Sequence, residues 1–201
     1  MKAMMIASIA LLITQTVMQV YATHYYTGTR WLSSSINVCY DSSSLKNVNI
    51  DGSTNRFSKV ASELDQARND WNALPSRFTL NRVSSCNNWI TGEYHDTNWF
   101  GKVVQTTQAG YIVDSDMIIN SKYKYITSST NCLNDYVNSK YILDYVARHE
   151  FGHYVEFKDY PENTVMYPSY NCDKWNSIKS HDSSSLTSIY MGDEHEEDNN
   201  I

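Results

Sequence analysis

Positive charge is scarce in this 201-residue chain: 16 lysines and arginines stand against 22 aspartates and glutamates, a formal net charge of −6. Nucleic-acid binding needs a basic surface, so the charge argues against that class. Long hydrophobic runs are also missing. The apolar stretch Ala3-Met4-Met5-Ile6-Ala7-Ser8-Ile9-Ala10-Leu11-Leu12-Ile13 is too short for a comfortable membrane span, and Thr14, Gln15, Thr16 and Gln19 dilute it further. Prolines number only 3, and no Pro-rich linker or internal repeat divides the sequence. The length then suggests one domain with an appended tail, able to bury a sizeable core. Cysteines number only 4, and no two lie within a few residues of each other, which argues against a four-cysteine zinc knot.

What is present begins with residues that read as a leader. Lys2, the apolar run and Val20-Tyr21-Ala22 fit a secretory signal over 1–22, cut near Ala22; an uncleaved anchor is the alternative. No Cys stands at the cleavage point to support a lipoprotein route. Residues 193–201, rich in Asp and Glu, are expected to form a solvated, disordered acidic tail. In an exported chain an even cysteine count favours disulfides. Cys39, Cys86, Cys132 and Cys172 allow three pairings, and Cys39 with Cys86 and Cys132 with Cys172 is the expected one, because sequence neighbours close the smaller loops.

Hydrophobic period gives the elements. A strand is expected over 30–40, with Ile36, Val38 and Tyr40 on one face, followed by loop at 41–44 and 51–53. Phe57, Val60, Ala61, Leu64, Ala67 and Trp71 fall at helical spacing, and Pro75 closes that helix. Strands are expected over 78–83, 88–94, 102–107 and 111–120, then a polar loop at 127–131 and a second helix over 138–157. Leu143, Ala147, Phe151 and Val155 mark its buried stripe. The order implies an α+β fold, a sheet backed by helices.

On the second helix stand His149, Glu150 and His153. Histidines at i and i+4 project from one face, so two imidazoles can converge on one metal ion. Glu150 lies about 100° round the helix from His149 and can reach a metal-bound water without being a ligand. A catalytic zinc wants three protein ligands and an open position. Asp159 follows ten residues after His149, and Tyr160-Pro161 shows that the helix has ended by then. If the chain turns back after Phe157, the Asp159 carboxylate can face the two histidines. Glu156 can compete for that role, and His181 and Asp182 are remoter candidates.

His149-Glu150-Phe151-Gly152-His153, Asp159 and Val165-Met166-Tyr167-Pro168 together resemble the metzincin metallopeptidases, especially matrixins and the small bacterial members whose third ligand is Asp. The resemblance implies a zincin fold: a twisted mixed sheet of about four to five strands, a backing helix, an active-site helix and an irregular C-terminal subdomain. It implies His149, His153 and Asp159 as ligands of one catalytic Zn2+, Glu150 as general base and Met166 as the Met-turn residue. Tyr167, Pro168 and Tyr170 would belong to the substrate pocket. The strand leading to the active-site helix would be 110–120, the edge strand lining the cleft 102–107, and Leu186, Ile189 and Tyr190 would lie on the closing helix.

Three departures stand out. Glu156 occupies the family's Gly position, so the turn toward the third ligand is expected to be made differently, since Glu at positive φ is costly. No Cys-containing latency segment lies between Ala22 and Arg30. The loop for a second, structural zinc is reduced to Tyr94-His95-Asp96, where His95 is expected to be a surface loop residue. A structural Ca2+ ion has no support in the residues.

The function implied is a secreted, zinc-dependent endopeptidase, with domain 23–192 as the catalytic unit. Glu150 would take the proton of a zinc-activated water and pass it to the leaving amine. Tyr154 and Tyr170 are candidate phenols for the oxyanion. The expected partner is an extended peptide or protein substrate paired along 103–106, with no nucleic acid, no membrane after signal removal, and a monomeric chain. Two alternatives remain: a non-hydrolytic, zinc-containing cell-surface binding domain, and a zincin of another branch with a distant Glu ligand.

Overall fold

The computed structural model describes residues 28–51, 55–129 and 131–190; the expected signal segment and acidic tail lie outside them. The order is β1 (Arg30–Trp31), β2 (Ser35–Tyr40), α1 (Ser42–Leu45), α2 (Arg56–Asn72), β3 (Thr79–Val83), β4 (Trp89–Glu93), β5 (Gly101–Gln108), β6 (Tyr111–Asn120), β7 (Lys124–Ile126), α3 (Cys132–Val137), β8 (Lys140–Ile142), α4 (Leu143–Tyr154) and α5 (Ser180–Tyr190). The fold is α+β. No helix among the described residues is long and apolar enough to cross a membrane.

The main sheet has six strands, more than the four to five expected, because the anticipated 30–40 strand breaks into β1 and β2. β3, β2, β4 and β6 pair in parallel, and β1 adds a short parallel contact to β6. β5 alone runs antiparallel, along the free side of β6, which leaves it an edge strand.

The helical stripe of α2 is buried as its spacing predicts: Val60, Ala61, Leu64, Ala67 and Trp71. Its N-terminus is capped by Asn55, whose side chain accepts from the Ser58 amide, satisfying one of the orphan donors of the first turn. Asn72 and Arg68 reach the Leu80 carbonyl and hold the helix against β3. Trp71 crosses to α4, its indole N–H donating to the Arg148 carbonyl at 2.9 Å.

The second helix starts later than expected. Ser139, at φ +57°, ends α3. Lys140-Tyr141-Ile142 then pairs in parallel with the identical triplet Lys124-Tyr125-Ile126. Tyr141 and Ile142 are buried there, so strand packing wins over the helical period at 138–142. α4 runs on from this strand without a side-chain cap. Both expected disulfides are present, Cys39–Cys86 and Cys132–Cys172. The second ties α3 to the loop after Tyr170.

Candidate metal centre

α4 carries His149, Glu150 and His153 into a cleft of about 900 Å³, with β5 on one side and the segment around Pro168 and Tyr170 on the other. His149 and Glu150 are buried, and the side chain of His153 is one-quarter exposed.

The helix ends in a Schellman turn. Phe157 N–H bonds the Gly152 carbonyl and Glu156 N–H bonds the His153 carbonyl, each at 3.0 Å. Between them Glu156 takes φ +85°. This corrects the sequence expectation: the left-handed turn is made at the expected place, by Glu in place of Gly. Its strain, on the order of 1–2 kcal/mol for a residue with Cβ, is offset by anchoring. The buried Glu156 carboxylate accepts from the Tyr190 hydroxyl at 3.0 Å and from the Trp31 backbone N–H. These contacts commit it to α5 and β1 and leave the third position to Asp159.

The turn carries the chain back, and Tyr160 N–H donating to the Met166 carbonyl at 2.7 Å fixes the return. Asp159 Oδ1 lies 3.4 Å from His149 Nε2 and 3.5 Å from His153 Nε2. The two Nε2 atoms are 3.2 Å apart. Among the described residues, these three side chains form the one cluster of His, Cys, Asp or Glu able to hold a metal ion.

The outer ring nitrogens decide what the inner ones are. His149 Nδ1 lies 2.8 Å from the Val165 carbonyl, and His153 Nδ1 lies 2.7 Å from the Phe157 carbonyl. A carbonyl can only accept, so both Nδ1 atoms carry hydrogen, and the Nε2 atoms are the ones left to face the cluster, each offering a lone pair when its ring is neutral. Two lone pairs and a carboxylate oxygen at these distances repel unless a proton or a cation lies between them. The protonation equilibria show this crowding. Hydrogen bonds from His149 and His153 hold the Asp159 carboxyl well below the usual carboxylate range. Burial alone would lower His153, but Asp159 and Glu150 raise it above the ordinary imidazole value.

Glu150 stands beside this cluster. Burial pushes its carboxyl above the usual range, with His149 and His153 acting in the opposite direction. Beneath the helix lies Met166, fully buried, its sulfur pressed where a Cβ on Gly152 would stand. Asp182 is buried and accepts from the Val165 and Lys179 amides, so it holds the Met166 turn and is no metal ligand. His181 stacks on Tyr160 away from the cluster, with ring centroids 5.3 Å apart.

Pro168 and Tyr170 line the cleft, while Tyr167 does not; its ring lies under the Lys174 ammonium. One of the two phenol candidates is corrected as well. Tyr154 is buried and its hydroxyl donates to the Ser115 carbonyl on β6. The Tyr170 hydroxyl accepts from the Ile142 amide at 2.9 Å. The Tyr154 hydroxyl is thus spent on β6, while the Tyr170 O–H, 3.6 Å from Cys132 Sγ, sits in the cleft lining. His95 sits in the 94–100 loop beside Glu93 and Trp99, as expected of a surface residue.

Trp175 has no signal in the sequence. Its ring stacks on His149 with centroids 4.1 Å apart and planes 16° apart. Arg148, buried between Asp70 and Asp144 at 2.6 Å each, donates to the Trp175 carbonyl at 2.9 Å. The residue before His149 therefore fixes the plate on which His149 rests.

The buried carboxyls also make stability depend on pH. Burial raises Glu156 to about 7 from 4.5, and burial plus Asp144 raises Glu63 by the same amount. Below 4.5 both folded and unfolded chains carry these protons. Between 4.5 and about 7 the unfolded chain ionises first, so these groups cost stability as pH rises through that window. Melting temperatures measured from about pH 5 to 7.5 should therefore fall less steeply for Glu156→Gln than for the parent. Equal slopes would remove Glu156 from the pH dependence.

No protein-family model matches the chain and no curated protein matches it, so its chemistry must be inferred from the site itself.

Proposed function

We propose that this chain is an exported zinc-dependent endopeptidase of the matrixin-like metzincin type. The carrying observation is the convergence of the His149, His153 and Asp159 donor atoms while both Nδ1–H groups are spent on backbone carbonyls. A tetrahedral zinc with donors at about 2.0–2.1 Å sets them about 3.3 Å apart. The separations of 3.2, 3.4 and 3.5 Å fit that ion. Neutral imidazoles and a carboxylate also suit a borderline cation.

Bound in this seat, zinc would supply Lewis acidity toward a peptide carbonyl and make water acidic enough to attack it. The chain's own residues do the rest. Glu150, buried at the cleft floor, takes a proton from the attacking water and returns it to the leaving amine. The edge strand β5 offers unpaired main-chain groups along residues 103–106 for an extended substrate. Trp175 and the carbonyls of Val165 and Phe157 hold the histidine rings in orientation.

The test is hydrolysis of casein or a peptide library by the chain purified from residue 23. Activity should vanish with a chelator and return with one equivalent of Zn2+. Hydrolysis insensitive to chelation, or no hydrolysis by zinc-loaded protein, would overturn the proposal.

A further inference from the structure

Gly101 opens β5 directly against Glu150, and it is buried. Its φ is not in the left-handed region, so the backbone there does not require glycine. Space does. A Cβ at Gly101 would stand 2.5 Å from Glu150 Cγ, 2.7 Å from Oε1 and 2.8 Å from Cδ. All three atoms belong to the one side chain that the proposed reaction uses as base.

The strand cannot retreat to make room. The Phe100 carbonyl accepts from the Asn120 amide at 2.9 Å and from the Tyr125 hydroxyl at 2.8 Å. The Trp99 carbonyl accepts from the Asn120 side-chain amide at 3.0 Å. Asn120 and Tyr125 are both fully buried. Gly101 itself is paired in register with Ile119 of β6. Of the two partners in this contact, the strand is clamped and the carboxyl is the flexible end of a side chain. Any side chain at 101 must therefore move the carboxyl.

We propose that Gly101 is a positioning residue for Glu150: its missing side chain, on a strand clamped by Asn120 and Tyr125, is the socket that sets where the basic carboxylate stands. The inference rests on the endopeptidase reading, and it adds a determinant of rate outside the metal cluster. Because the contact falls on a movable side chain, Gly101→Ala should fold and bind zinc as the parent does. It should lower kcat about 100-fold with KM unchanged, the cost expected for a base misplaced by about 1 Å.

The deciding comparison is made in two backgrounds. Glu150→Ala is slow by itself, but it lacks Cγ, Cδ and Oε1, the three atoms that a Cβ at 101 would meet, and so empties the socket. Adding Gly101→Ala to it should change kcat less than about threefold, against about 100-fold in the parent. If Gly101→Ala alone does not fold, recovery of folding by Glu150→Ala supports the socket, and no recovery overturns it. A Gly101→Ala kcat within threefold of the parent, or an equal loss in both backgrounds, also overturns it. A zinc-loaded parent that hydrolyses nothing would sink the endopeptidase reading by itself. The crystallographic position of the Glu150 carboxylate in Gly101→Ala, expected to shift by about 1 Å or more, would still decide the positioning.

Discussion

Glu150→Gln is expected to lower kcat about 1000-fold while zinc stays bound at one ion per chain, within the range that a general base contributes. Gln has nearly the same shape and can occupy the same buried place, but it cannot take a proton. The expected loss is therefore chemical and carries little change in folding. Glu150 lies outside the cluster of three donors, so the metal should not sense the change. Zinc analysis and steady-state kinetics on the same preparation check both halves. A variant that keeps parental kcat would remove Glu150 from proton transfer, and one that loses zinc would make it a ligand.

Asp159→Ala should weaken zinc binding by more than about 100-fold, the upper range for losing a partner that merely orients a ligand. His149 and His153 remain, but two imidazoles leave the seat short of the third protein donor that a catalytic zinc takes. Competition with a chromophoric chelator measures the loss. The matched control is Glu156→Gln, which should retain zinc because the Glu156 carboxylate is held by Tyr190 and the Trp31 amide. The pair separates the two carboxylates that the sequence leaves in competition. Retention in Asp159→Ala with loss in Glu156→Gln would reverse their roles.

Much of this site is legible in sequence because it depends on local periodicity. The i, i+4 spacing of His149 and His153 survives any packing that keeps α4 helical. The stripe of α2 and the alternation in β3 to β6 are equally local signals. What escapes depends on contacts distant in the chain. Lys124-Tyr125-Ile126 and Lys140-Tyr141-Ile142 are each too short to register as strands until they pair with each other. The positive φ of Glu156 follows from anchors 34 residues downstream, at Tyr190, and far upstream, at Trp31. Trp175 on His149 and Gly101 under Glu150 are tertiary contacts with no periodic signature. The carbonyls of Val165 and Phe157, which fix both imidazole tautomers, belong to backbone that any residue type could supply.

The seat formed by His149, His153 and Asp159 can be read by X-ray absorption at the zinc edge on the chain purified with zinc. The expected spectrum shows one ion per chain with two imidazole nitrogens and carboxylate or water oxygens at about 2.0–2.2 Å, and no sulfur. A spectrum with sulfur in the shell, a single imidazole, or no stoichiometric zinc would contradict it.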